Sequence, residues 1–81
     1  MKNKVTMYTT SWCGYCKNLK KQLGAKGIEF TEIDIENEPE AAQIVAAVNE
    51  GNHVVPTVQF WDGTTMTNPS ANEVEEKLAH T

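Results

Sequence analysis

Two cysteines, Cys13 and Cys16, stand three positions apart and are the only cysteines in this chain of 81 residues. Residues 5–9 before them are rich in β-branched and aromatic side chains, which predicts a strand. Residues 17–26 after them repeat apolar side chains at helical spacing, which predicts a helix. A Cys-x-x-Cys motif where a strand turns into a helix is typical of a thiol–disulfide exchange site.

The rest of the chain predicts five further elements. The first two are a strand over 29–35 and a helix that begins near Pro39, whose inner face is formed by Ala41, Ile44, Val45 and Val48. Strands over 57–61 and 64–67 follow and are joined by a turn at Asp62-Gly63. A last helix begins at a capping box from Ser70 to Glu73, and its inner face is formed by Ala71, Val74 and Leu78. The order βαβαββα predicts an α/β domain over residues 1–81. Its sheet would be four-stranded and mixed, and the three helices would be divided between its two faces.

Composition excludes several functions. The net charge of −4 argues against a nucleic-acid partner, which needs a basic face. No apolar stretch reaches the length of a membrane span, and no apolar run follows the charged N-terminus as in a signal peptide. We therefore expect a cytoplasmic monomer without membrane contact, a setting in which neighbouring cysteines are more often catalytic than structural.

The cysteine pair predicts two different roles for its members. Cys13 falls at the first turn of the helix, where the helix dipole stabilises an anion, and the thiolate is the attacking species. Cys16 lies one turn further in and is expected to be less exposed. We therefore expect Cys13 to be the nucleophile and Cys16 the resolving thiol. The alternatives are an inert pair or a zinc site, for which His53 and His80 are the remaining candidate ligands.

Four further residues bear on binding. Pro56 directly precedes a predicted strand, either as a trans proline at its entrance or in a cis Val55–Pro56 bond that lets Val55 offer its backbone to a peptide-like partner. Trp12 and Tyr15 flank the cysteines. They predict either an apolar docking surface for partner chains or ordinary packing.

These residues together resemble the thioredoxin-fold glutaredoxin family, and within it the actinobacterial mycoredoxins. The resemblance is carried by residues 8–16 (YTTSWCGYC), 48–52 (VNEGN), 54–58 (VVPTV) and 62–63 with 67–71 (DG, TNPSA). It implies a thioredoxin fold, a cis Pro56 beside the cysteines and reduction of mixed disulfides between proteins and mycothiol. Mycothiol would then be a co-substrate, mycothiolated proteins the partners, and no cofactor would be bound.

Two departures from ordinary glutaredoxins bear on the substrate. Thr10 stands where the family commonly has a lysine that pairs with a glutathione carboxylate. The turn into the last helix carries Thr67, Asn68 and Ser70 where the family usually has two glycines and an aspartate. Mycothiol has a sugar and an inositol, and neutral hydroxyl and amide groups can form hydrogen bonds with both. We therefore expect Thr10, Thr67, Asn68 and Ser70 to bind substrate, together with Trp12, Tyr15, Val55 and Pro56.

Two other functions fit a chain of this kind. One is a dithiol electron carrier of the ribonucleotide-reductase-donor type, re-reduced by thioredoxin reductase. The other is a dimer that shares an iron–sulfur cluster through Cys13 and a small thiol. Gly14-Tyr15 between the cysteines and Thr67-Asn68 at the turn argue against the first.

Overall fold

Seven elements follow one another in the predicted order in the computed structural model, which describes residues 4–52 and 54–79. They are β1 (Val5–Thr9), α1 (Gly14–Ala25), β2 (Thr31–Asp34), α2 (Pro39–Val48), β3 (Thr57–Phe60), β4 (Thr65–Thr67) and α3 (Ala71–Ala79). The strands form one sheet in the order β2-β1-β3-β4. β1 runs parallel to β2 and antiparallel to β3, and β3 runs antiparallel to β4. The predicted mixed sheet is confirmed.

Helices cover both faces of this sheet because successive residues of β1 point to opposite sides. Met7 is buried in the larger core, which α1 and α3 close and which contains Val5, Leu19, Leu23, Val58, Phe60, Ala71 and Val74. Tyr8 is buried in a smaller core that α2 closes with Ile35, Ala41 and Val45. The central strand therefore holds the cysteine-bearing helix α1 on one side and α2 on the other.

The bounds of α1 and β2 differ from the prediction by more than one residue, for physical reasons, whereas β3 and β4 each differ by one residue at one end. Helix α1 begins at Gly14 rather than at residue 17, because Cys13 itself is its N-cap. Strand β2 is shorter than predicted because it pairs only as far as β1 reaches. Its first residue, Thr31, lies opposite Thr6, and its last, Asp34, lies opposite Thr9.

Two of the four residues predicted for the inner face of α2 are buried. Ala41 and Val45 are buried, but Ile44 is 40% and Val48 43% exposed. The helix packs a narrow stripe of residues four positions apart against the sheet, so the neighbouring apolar positions lie at its flank.

The last helix begins as its sequence predicts. Ser70 Oγ accepts a hydrogen bond from the Glu73 backbone N–H at 3.1 Å, and Glu73 Oε1 accepts one from the Ser70 N–H at 2.9 Å. This reciprocal pair is the predicted capping box. It fixes the turn between β4 and α3, which lies near the cysteines. Across residues 4–52 and 54–79, none of the helices has the length and apolar character needed to span a membrane.

Candidate active site

The two cysteines lie at the junction of the β1 loop and α1, as predicted. Cys13 has extended backbone angles (φ −80°, ψ 111°) and ends the loop, whereas Cys16 lies inside the first turn of the helix. The structure joins them in a disulfide, so it represents the oxidised form of the site. Cys13 is 4% exposed and Cys16 fully buried, which agrees with the more accessible position expected for the nucleophile.

The backbone around Cys13 favours a negative charge on its sulfur. Cys13 Sγ accepts a hydrogen bond from the Cys16 backbone N–H at 3.0 Å, so the sulfur occupies the capping position at the positive end of a 12-residue helix. A donor aimed at the sulfur and the dipole of the helix both stabilise a thiolate relative to a thiol. Cys16 Sγ lies within the first turn and has no such position.

A loop from the other side of the sheet approaches the nucleophile. The Val55 carbonyl oxygen lies 3.7 Å from Cys13 Sγ. The Val55–Pro56 peptide bond is cis, as the family resemblance implies, and Pro56 is buried beside β3. The backbone N–H of Asn68 donates to the Pro56 carbonyl at 2.7 Å. The cysteines, the proline loop and the turn before α3 therefore meet at one end of the sheet.

Two aromatic side chains stand open beside the sulfurs. Trp12 is 68% and Tyr15 71% exposed, which rules out ordinary core packing for either of them. The Trp12 Nε1–H donates to Glu36 Oε2 at 3.3 Å, so a hydrogen bond orients the indole at its edge while the face of the ring stays exposed. Exposed aromatic faces of this kind offer contact area to a partner chain.

The four hydroxyl and amide residues predicted to bind substrate are placed differently from one another. Asn68 and Ser70 are exposed at the turn before α3. Thr67 is exposed too, but its Oγ1–H donates to Asn49 Oδ1 at 2.7 Å. Thr10 is 5% exposed, and its Oγ1 is buried with no hydrogen-bond partner among the described residues. This differs from the expectation that Thr10 presents its hydroxyl to a ligand, because the β1 loop turns that side chain inward.

A groove of about 340 Å³ joins Tyr15 to the turn before α3. Its lining is mostly neutral and polar, and consists of Tyr15, Asn18, Leu19, Gln22, Asn68, Pro69, Ser70 and Glu73. Sequence reasoning missed Asn18 and Gln22. Their spacing from Tyr15, at i+3 and i+7, places all three on one face of α1 and is a signal that could have identified them.

An ion pair ties α1 to the edge of the sheet near the site. Lys20 Nζ lies 2.7 Å from Glu32 Oε2, and the Thr9 hydroxyl donates to the same oxygen at 3.0 Å. The hydrogen bond from Lys20 lowers the pKa of the Glu32 carboxyl, so that carboxylate stays charged near the end of β1. Both partners are partly exposed, so the pair mainly orients α1 and contributes little to stability.

In the part of the chain that the structure describes, no group of three or more His, Cys, Asp or Glu residues is placed to hold a metal ion, so the two cysteines have no further metal ligands there. The zinc alternative named His53 and His80, and both lie outside the described residues.

A Cys-x-x-Cys at the N-terminus of the helix that follows the first strand, facing a cis-proline loop across a mixed sheet, defines a thioredoxin-fold thiol–disulfide oxidoreductase. Comparison with known proteins narrows the class. The glutaredoxin family model matches residues 5–64. The chain is 58% identical over 74 residues to a candidate glutaredoxin of Mycobacterium tuberculosis, covering 91% of this chain and 88% of that protein.

Two further comparisons agree. Mycoredoxin 1 of Corynebacterium glutamicum is 47% identical over 76 residues, which is 94% of each chain. The solved structure of NrdH-redoxin from Escherichia coli, described as glutaredoxin-like with a thioredoxin-like activity profile, superposes with a TM-score of 0.75 at 25% identity, covering 89% of this chain and 91% of that one. The chain belongs to the glutaredoxin family.

Proposed function

We propose that this protein reduces mixed disulfides between protein cysteines and mycothiol, with Cys13 as the nucleophile. The observation that carries the proposal is the polar groove beside Tyr15, whose lining is uncharged except for Glu73 and includes no cation to pair with a glutathione carboxylate. The similarity to Mycoredoxin 1 supports the same substrate class. The proposed compartment is the cytosol, where small thiols keep neighbouring cysteines reduced.

The first step is attack by the Cys13 thiolate on the mycothiol sulfur of the mixed disulfide. A bond forms between Cys13 Sγ and that sulfur, the original disulfide breaks, and the protein thiolate departs and takes up a proton. The backbone N–H of Cys16 stabilises Cys13 before the attack and again when it later becomes the leaving group.

Release follows by one of two routes. A second mycothiol thiolate can attack the mycothiol sulfur bound to Cys13, which frees Cys13 and forms mycothiol disulfide. Cys16 can instead attack Cys13 Sγ, which releases mycothiol and forms the Cys13–Cys16 disulfide present in this structure. In the second route the cysteine pair gives up two electrons, which reduce the mixed disulfide to protein thiol and mycothiol, and the pair stays oxidised until another thiol reduces it.

Recognition of the small thiol follows from the chemistry of the groove. Asn18, Gln22, Asn68 and Ser70 provide amides and a hydroxyl that both donate and accept hydrogen bonds, as a sugar and an inositol require. The groove lining in the described part of the chain includes no lysine, and the sequence contains no arginine at all. Glu73 adds a carboxylate at the edge of the groove, which repels the carboxylates of glutathione.

The protein side of the substrate docks on the remaining features. The faces of Trp12 and Tyr15 provide apolar contact area on either side of Cys13. The Val55 backbone lies across the sulfur from them and is available to an extended chain. The same surfaces can bind any protein disulfide, so they explain reactivity toward proteins. The specificity for the small thiol is determined by the groove.

The proposal is tested by comparing kcat/KM for one peptide that carries either mycothiol or glutathione in a mixed disulfide. We expect the wild type to prefer the mycothiol adduct. Asn18→Ala and Gln22→Ala should each lower kcat/KM for that adduct by about 2- to 10-fold, the effect of one net hydrogen bond, and leave the glutathione value unchanged. Asn72→Ala is the matched control, since Asn72 is exposed on α3 and outside the groove.

An equal or higher kcat/KM for glutathione would contradict the proposal. Reduction of the oxidised protein by thioredoxin reductase but by neither small thiol would identify the dithiol carrier instead. Visible absorbance in anaerobically purified protein would identify the iron–sulfur dimer.

A further inference from the structure

The side chain of Asn49 links three elements at the end of α2. Its Nδ2 group donates to the Val45 carbonyl oxygen at 2.8 Å and to Thr57 Oγ1 at 3.2 Å. Its Oδ1 accepts from the Thr67 hydroxyl at 2.7 Å. One amide therefore joins the end of α2, the start of β3 and the end of β4.

Thr57 passes this connection to the loop that faces Cys13. The Thr57 hydroxyl donates to the Val54 carbonyl at 2.7 Å while it accepts from Asn49, so it closes residues 54–57 into a tight unit. Thr57 is fully buried, so its hydroxyl depends on these protein partners. The loop is held from the opposite side by the Asn68 N–H on the Pro56 carbonyl.

No ladder hydrogen bond can hold Val55 in place, because β3 begins only at Thr57. Its carbonyl nevertheless lies 3.7 Å from Cys13 Sγ. The clasp made by Asn49 and Thr57 is the connection that fixes this loop to the end of α2. We propose that Asn49 is a positioning residue that holds the Val55 backbone opposite the nucleophile, and so sets the affinity for the chain that carries the disulfide.

This inference rests on thiol–disulfide exchange at Cys13 and is independent of which small thiol is used. Asn49 forms no hydrogen bond with either cysteine sulfur among the described residues. The groups that favour the Cys13 thiolate, the Cys16 backbone N–H and the helix dipole, are part of α1. Removal of the clasp should therefore change the binding of substrate and leave the intrinsic reactivity of Cys13 unchanged. A uniform loss of binding appears in KM with kcat retained.

The test uses two disruptive variants and one that retains the hydroxyl. Asn49→Ala removes the three hydrogen bonds of the Asn49 amide and so separates the Thr57–Val54 unit from the end of α2. Thr57→Val keeps the buried shape but loses the hydroxyl, and Thr57→Ser restores it. Asn52→Ala is the matched control, because Asn52 lies on the same segment and, among the described residues, donates only to the Asn49 backbone carbonyl. KM and kcat are measured on a peptide mixed disulfide with mycothiol and with glutathione, at a temperature where circular dichroism shows every variant folded. The rate of alkylation of Cys13 is measured against pH.

We expect KM to rise about 3- to 10-fold in Asn49→Ala and Thr57→Val, for both small thiols, with kcat and the alkylation profile unchanged. Thr57→Ser and Asn52→Ala should stay within about twofold of the wild type, well inside the effect of one net hydrogen bond. A KM near the wild-type value in Asn49→Ala or Thr57→Val would overturn the inference. So would a fall in kcat, a shifted alkylation profile, or a Thr57→Ser variant as impaired as Thr57→Val. A failure of the mycothiol preference alone would contradict the proposed substrate and leave this result intact.

Discussion

Cys13 should be far more reactive than Cys16 in the reduced protein, and the structure allows the size of the difference to be worked out. The hydrogen bond from the Cys16 N–H at 3.0 Å goes to a charged acceptor once Cys13 ionises, which is worth about 1.5–3 kcal/mol. The helix dipole adds about 0.3–1 kcal/mol. Burial of a sulfur that is 4% exposed opposes both contributions.

A net stabilisation of ~2 kcal/mol raises the thiolate-to-thiol ratio about 30-fold. An ordinary cysteine is a few per cent thiolate at pH 7, so Cys13 should be close to half ionised there. Because the donor is the backbone of residue 16, the Cys16→Ser variant keeps it. We therefore expect this variant to be alkylated at the wild-type rate.

The assay is a brief treatment of the reduced protein with iodoacetamide at pH 7, followed by peptide mass spectrometry. Cys13 should be labelled about tenfold or more faster than Cys16, in line with the larger thiolate fraction. Cys13→Ser should leave a slowly labelled protein. Preferential labelling of Cys16, or equal rates at the two positions, would refute the assignment of the nucleophile.

Three further predictions concern stability and docking. The hydroxyl of Thr64 and the ammonium of Lys77 hold the pKa of Asp62 at about 2, below its ordinary value of 3.8. The stability from Asp62 is therefore present above pH 3.8 and lost as the pH falls toward 2, and acid titrations of unfolding should show this loss in the wild type but not in Asp62→Asn. Thr10→Val should raise the free energy of unfolding in urea by ~1 kcal/mol, since it removes a buried hydroxyl without a partner among the described residues, and a destabilised variant would contradict that placement. Trp12→Ala should raise KM about 5- to 10-fold for a protein mixed disulfide but not for a small disulfide, and an equal effect on both would argue against a docking role.

Local sequence signals predicted most of the fold because each is read over a short range. The β-branched and aromatic side chains of β1, the capping box at Ser70 and the turn at Asp62-Gly63 each involve residues within a few positions of one another. The location of the cysteine pair at the N-terminus of α1 was predictable for the same reason, since it follows from the strand-to-helix junction, although the role of Cys13 as the N-cap was not predicted.

Features that depend on distant residues were not predictable. The spacing of Ile44 and Val48 matches a buried face, yet both stay exposed because α2 packs only a narrow stripe with Ala41 and Val45 against the sheet. The motif around Asn49 was visible in the sequence, but its bonds run to Thr57 and Thr67, which lie 8 and 18 positions away. The inward turn of Thr10 likewise follows from the path of the β1 loop.

The most direct test of the central claim is turnover by the Cys16→Ser variant on a protein that carries mycothiol in a mixed disulfide, with mycothiol as the reductant. If Cys13 attacks the mycothiol sulfur and a second mycothiol releases it, Cys16→Ser should keep turning over while Cys13→Ser is inactive. If Cys16→Ser instead stalls as a trapped covalent complex, with its fold intact by circular dichroism, the protein acts as a dithiol carrier and the mycothiol mechanism is wrong.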